Sequence, residues 1–205
     1  MSVEYRDSKQ PAIPKTIQVF NTSGNHTWKK PEGCVAVKVQ VIGAGGGAAG
    51  YWESGGAGGY SEDYIDVTEI DEVSVTVGAG GGYVGYFGVA GDGTSSFFGS
   101  YLYASGGYGA NRQHSHSGGL GGLGYGGLIN LQGGGATGHV NGGSSGAGAR
   151  GGSSYFGGPA GDNRGSNHAK NGNGAPGSGG PGSRTDTGWG GQVGETGIVV
   201  VHEYY

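Results

Sequence analysis

Hydrophobic residues recur at every second position in several short stretches of the chain, and nowhere at helical spacing. Ile17 and Val19 alternate with polar neighbours within Thr16–Phe20, and Val35, Val37, Val39 and Val41 alternate with Ala36, Lys38 and Gln40. A period of two belongs to a strand with one buried face. Similar text at 60–67, 73–77, 94–98, 101–105 and 198–204 brings the set to about seven short strands. Lys30-Pro31-Glu32-Gly33 reads as a turn between two of them. The predicted fold is all-β: an antiparallel β-sandwich made from residues 16–105 together with 197–205, the C-terminal stretch GIVVVHEYY returning to pair inside it.

A second periodicity changes this picture. Of 205 residues 55 are Gly, and 32 of them fall in the 80 positions from Gly118 to Gly197. Gly82, Gly85, Gly88 and Gly91 keep a period of three, as do Gly118, Gly121, Gly124 and Gly127, then Gly174, Gly177 and Gly180, then Gly188, Gly191, Gly194 and Gly197. Three residues per turn is the period of polyproline II, which has no internal hydrogen bonds. Runs of this kind become stable side by side, where missing Cβ atoms let backbones approach and bond to one another. Residues 106–196 are therefore expected to form a bundle of polyglycine II helices joined by loops, with little or no α-helix. Residues 1–15 are polar, contain Pro11 and Pro14, and read as an attachment arm.

So much glycine also raises disorder and collagen. A net charge of −4 and 21 aromatics (13 Tyr, 5 Phe, 3 Trp) argue against a disordered chain. The repeated change of phase and only 6 Pro argue against collagen. Cys34 is the single cysteine, so no disulfide framework is expected. The charged start MSVEYRDSKQ has no apolar run behind it, and no stretch approaches about 18 apolar residues, so neither a signal peptide nor a membrane helix is expected.

The phase breaks are rich in residue types favoured at interfaces. Tyr51 and Trp52, then Arg112, His114 and His116, then His139, then Arg164, Asn167 and His168 are the candidate binding residues. Between Arg112 and Gly194 the chain balances Arg112, Arg150, Arg164, Lys170 and Arg184 against Asp162 and Asp186, a local excess of three positive charges. Mildly basic, aromatic loops suit anionic lipopolysaccharide or acidic protein loops.

The stretch Thr27-Trp28-Lys29-Lys30-Pro31-Glu32-Gly33, followed by VAVKVQVIGAGGG, GGAGGYSEDYIDV, VSVTVGAGG and the closing GIVVVHEYY, resembles the glycine-rich domain of bacteriophage tail-fibre proteins over roughly residues 16–205. The glycine motifs separated by variable segments are also similar to the tail-fibre tip adhesins of T-even-type phages. That resemblance implies packed polyglycine II helices displaying loops that bind an outer-membrane protein or surface glycan of a bacterium. It implies a virion location, a tail-fibre or baseplate partner, and assembly as a homotrimer or as a single copy on a trimeric fibre.

Other chemistries fit the residues less well. Gly43-Ala44-Gly45-Gly46-Gly47-Ala48 matches a dinucleotide fingerprint in spelling, but no helix can follow it to receive a pyrophosphate. His114 and His116 could pair on a metal, yet no Cys or carboxylate lies near them in sequence, so no metal and no cofactor are expected. Glu62, Asp63, Asp66, Glu69, Asp71 and Glu72 cluster on one strand and its turn, a solvated face and edge protection, away from the loops where a glycan hydrolase would need paired carboxylates. The chain is thus expected not to be an enzyme. Cationic residues are too sparse for nucleic-acid binding. Ice binding would need regular Thr or small-residue ladders, which are absent. The rival to a receptor-binding adhesin is a structural or decoration protein of the virion tail.

Overall fold

The computed structural model describes residues 14–50, 53–85, 88–111, 117–136, 150–159, 174–182 and 191–205. Among them are ten strands and no helix: β1 (Thr16–Phe20), β2 (Gly24–Lys29), β3 (Ala36–Ile42), β4 (Tyr60–Asp66), β5 (Glu72–Val77), β6 (Ser96–Phe98), β7 (Leu102–Ala104), β8 (Gly124–Tyr125), β9 (Ile129–Leu131) and β10 (Ile198–Tyr204). Two antiparallel five-stranded sheets result, ordered β1-β10-β3-β4-β9 and β2-β5-β6-β7-β8. As expected, β10 returns to the interior of the first sheet, with Val199 opposite Val41 and Val201 opposite Val39.

The period of two explains the sandwich. Val37, Val39 and Val41 of β3 and Val199 and Val201 of β10 face Val73, Val75, Phe98 and Leu102 of the second sheet, with Trp28 and Cys34 in the same cluster. Trp28 is fully buried against Phe98 at a ring separation of 6.0 Å. Its indole Nε1 donates to Glu203 Oε1 at 2.8 Å, and Gln18 Nε2 donates to the same oxygen at 2.6 Å. Thr16 donates to the other carboxylate oxygen, so the buried Glu203 has donors from β1 and from the opposite sheet. Three strands were not legible as strands. In β2 only Trp28 is buried, so the alternation is masked, and β8 and β9 are two or three residues long with exposed side chains.

Below the sheets, ten extended segments run away from the strands or back to them: g1 (43–50), g2 (53–59), g3 (78–85), g4 (88–94), g5 (105–111), g6 (117–123), g7 (132–136), g8 (150–154), g9 (177–182) and g10 (191–197). Among the described residues they come in pairs between strands, g1 and g2 between β3 and β4, g3 and g4 between β5 and β6, and g5 and g6 between β7 and β8, while g7 to g10 lie between β9 and β10. Glycine segments thus interrupt the span 16–105 expected as sandwich, and β8 and β9 fall inside the span 106–196 expected as glycine helices. The hydrogen bonds of g1 follow a strict period of three. Gly43, Gly46 and Ala49 donate to Gly59, Gly56 and Glu53 of g2; Ala44 and Gly47 donate to Thr94 and Gly91 of g4; Gly45 and Ala48 donate to Glu195 and Gln192 of g10. Its carbonyls accept with the same period: Ala44 and Gly47 from Gly107 and Ala110 of g5, Gly45 and Ala48 from Gly81 and Val84 of g3, and Gly46 from Gly180 of g9. A three-residue turn aims successive peptide groups in three directions, which is the bonding of a polyglycine II helix inside a hexagonal lattice.

The same holds for g2, which donates to g5, g7 and g9 and accepts from g1, g6 and g8. Bonds between the outer segments close the ring: g4 to g5, g5 to g6, g6 to g7, g7 to g8, g8 to g9, g9 to g10, and g10 and g4 to g3. Ten helices therefore form three layers, g4-g5-g6, then g3-g1-g2-g7, then g10-g9-g8. Among the described segments only g1 and g2 are wholly surrounded. Residues 43–50 and 55–59 are accordingly all Gly or Ala. A Cβ built on Gly46 would lie 2.2 Å from the Tyr108 carbonyl oxygen, and one on Gly45 would lie 1.9 Å from that of Ser178. The large hydrophobic side chains of the lattice lie on the rim, where Tyr83, Val89, Tyr108, Leu120, Leu123 and Val193 are all exposed, while the buried Glu53 stands at the end of g2.

Two of the period-three runs divide between segments. Gly82 and Gly85 belong to g3, whereas Gly88 and Gly91 belong to the antiparallel g4, and Gly124 opens a strand. Gly191, Gly194 and Gly197 stay together on g10 and donate in turn to Val84, Gly81 and Gly78 of g3. Gly177 is different: with φ at +76° it occupies the third position of an Ala175-Pro176-Gly177-Ser178 turn closed by a 2.9 Å bond from the Ser178 N–H to the Ala175 carbonyl.

Candidate functional site

The lattice has a near end, beside the strands, and a far end. At the near end Gly43 bonds to Gly59; the six steps from Gly43 to Ala49, at about 3.1 Å each, place the Ala49–Glu53 bond about 19 Å away. Gly50, Glu53, Gly85, Gly88, Asn111, Ser117, Ala136, Gly182 and Gly191 all lie at that far end, fixed by bonds among neighbouring segments. Asn111 and Ser117 exchange two backbone bonds of 3.1 Å, and Gly182 donates to Ser54 Oγ at 2.8 Å. Beneath them Ala49, Ala90 and Ala110 form a small buried cluster with Val84 packed against it. The chain thus leaves and re-enters the described region at the far end around 51–52, 86–87, 112–116, 137–149 and 183–190. Around 160–173 it does so midway, since Pro159 is level with Gly151 and Gly174 donates to Glu195 Oε1.

All nine candidate binding residues, Tyr51, Trp52, Arg112, His114, His116, His139, Arg164, Asn167 and His168, lie outside the described residues. Their described flanks are what the fold positions. Among the described residues no three His, Cys, Asp or Glu side chains come together as a metal site requires. The dinucleotide-like stretch is the central helix g1, in which every N–H from Gly43 to Gly50 bonds within the chain, leaving no backbone donor for a phosphate.

One polar cluster was not anticipated. On the outer face of the first sheet, Glu62 Oε2 receives the Tyr60 hydroxyl at 2.5 Å, Gln40 Nε2 at 2.8 Å and Lys38 Nζ at 3.1 Å. His202 meets Gln40 Oε1 at 3.2 Å, and the Tyr155 ring stacks on Tyr60 at 3.7 Å. Glu62 is therefore 8% exposed, contrary to the solvated role expected for it. Burial pushes its carboxyl up, but the Tyr60, Lys38 and Gln40 donors outweigh that and hold it below the ordinary carboxylate value. Burial, then the Glu62 carboxylate, push the Tyr60 hydroxyl up. Burial, then the Lys38 charge, push His202 down. A carboxylate with three donors on one oxygen is a fixed acceptor that anchors Tyr60 and, through it, the 154–157 turn. The signal lay in parity: Lys38, Gln40, Tyr60, Glu62 and His202 occupy outward positions of β3, β4 and β10, but only strand order makes them neighbours.

No curated protein matches the chain. The glycine-rich domain family does, over residues 21–204, from the turn after β1 through all ten lattice helices to the last residue of β10, and the protein belongs to that family.

Proposed function

We propose that the protein is a receptor-binding adhesin of a bacteriophage tail fibre or tail tip, which attaches to an outer-membrane protein or lipopolysaccharide of a bacterium by binding alone. The observation that carries this reading is the convergence of the lattice on one end. The chain reaches Tyr51 and Trp52, the Arg112 to His116 group and His139 from described residues that are all held there by interhelix bonds. Recognition residues mounted on a bonded scaffold lose less conformational freedom on contact, which favours affinity from a few aromatic and Arg anchors. The sandwich at the near end is left for a tail-fibre or baseplate partner, in the virion.

Adsorption tests the reading. Labelled protein should bind susceptible cells and block infection, and replacing Arg112, His114 and His116 together by Ala should abolish both while the melting temperature is unchanged. Failure of the unaltered protein to bind or to block would overturn the adhesin reading in favour of a structural tail protein.

A further inference from the structure

One side of the molecule carries an apolar face that the described residues leave uncovered. On β6, β7 and β8, Phe97, Tyr103 and Tyr125 stack across three strands with ring separations of 5.3 and 4.7 Å, each more than a third exposed. The same strands continue into the outer lattice layer g4-g5-g6. There Leu123, two residues before Tyr125, and Leu120 project from g6, and Tyr108 projects from g5, its N–H bonded to the Leu120 carbonyl at 2.9 Å. The inward positions of these segments are glycines with no room: a Cβ on Gly107 would lie 2.2 Å from the Gly56 oxygen, and one on Gly119 would lie 1.9 Å from the Tyr108 oxygen. The three-residue turn therefore sends every large side chain of g5 and g6 to the outside.

We propose that this face is the contact between two copies of the chain. Leu120 is 67% exposed and Tyr108 55%, and the six side chains together present on the order of 600 Å², the upper end of the largest apolar patch on an ordinary monomer and the size at which such a patch marks an interaction site. Two such faces bury about 1,200 Å², the lower bound of stable specific pairs. In a two-fold contact each patch meets itself, so a charge near its centre would meet its like. No Asp, Glu, Lys or Arg occurs from residue 117 to 136, and none from 96 to 111; the charged side chain of g4, Asp92, stands at the border of the patch, where its Oδ1 accepts from the Gly109 N–H at 2.7 Å. A glycan is the poorer occupant, since the ring faces are spent on one another and few polar side chains stand beside them to receive hydroxyls. The inference is independent of the receptor reading.

Sedimentation equilibrium of the full chain at about 100 µM, well above the Kd of a weak specific pair, is the test. The expected mass is twice that of the chain. Leu120→Asp with Tyr108→Ser should halve it at an unchanged melting temperature, since both side chains are exposed, whereas Ile17→Asp, 53% exposed on β1 of the other sheet, should not. A monomeric or trimeric wild type, or a dimer that survives the Leu120/Tyr108 substitutions or dissociates with Ile17→Asp, would overturn the proposal.

Discussion

Two glycine-to-alanine substitutions, alike in chemistry, should have opposite effects. Gly46 sits in the middle of the surrounded helix g1; its N–H bonds to Gly56 and its carbonyl accepts from Gly180. The added Cβ would be 2.2 Å from the Tyr108 oxygen and 2.4 Å from its carbon, so g5 must retreat by about 1 Å to restore a normal contact. The Tyr108 carbonyl accepts from Gly56 and its N–H donates to Leu120, and both bonds lengthen with that retreat. Overpacking costs about 1–3 kcal/mol and each weakened buried bond about 1 kcal/mol more, giving about 3–5 kcal/mol for Gly46→Ala. At about 2–4 °C per kcal/mol in a chain of this size, the melting temperature falls by about 10 °C. At Gly82, on the rim helix g3, a Cβ meets nothing within 4 Å and φ is not positive. Gly82→Ala should therefore be neutral or add about 0.4–1 kcal/mol by restricting the unfolded chain. Urea unfolding of both variants measures the pair. A loss below about 1 kcal/mol at Gly46, or equal losses at the two sites, would refute the hexagonal packing argument.

Other expectations follow from the same structure. Glu203→Ala leaves the buried Trp28 indole without its acceptor and removes the one that Gln18 shares with it, and should lower stability by about 2–4 kcal/mol in urea unfolding. The folded-state pKa of His202 lies below its ordinary 6.5, so the unfolded chain binds the extra proton first; stability should fall as pH drops below about 6.5 and level off beneath the folded value. His202→Gln should flatten that limb of a pH–melting profile. Glu62, with its pKa lowered, contributes stability above its ordinary 4.5 that is lost as pH falls through the folded value, a second and more acidic limb that Glu62→Gln should remove. Tyr155→Ala should leave the sandwich core intact but expose Tyr60, raising acrylamide quenching of tyrosine emission, because the Tyr155 ring covers Tyr60 at 3.7 Å.

What the chain declares locally, it declares through period. Alternating valines at 37, 39 and 41, at 73, 75 and 77, and at 199 and 201 specify buried strand faces wherever the partner lies, because a pleated strand turns every second side chain the same way. The period of three on Gly191, Gly194 and Gly197 likewise predicts a helix that must bond to neighbours, having no bonds of its own. The candidate binding residues were legible only as breaks in that period, and the tertiary structure adds the common end from which most of those breaks depart. Which neighbour each helix meets is a different matter. Gly46 and Gly82 are the same letter, yet one is enclosed by six helices and the other faces open space. The distinction rests on bonds between residues such as Gly46 and Gly180, which are distant along the chain. For the same reason Glu62 looks like a surface acid in the sequence and becomes a buried acceptor only when β3, β4 and β10 lie side by side. Periodicity is a property of one strand of backbone and survives in the sequence, whereas enclosure depends on which segments the lattice brings together, and that is decided by the packing of all ten at once.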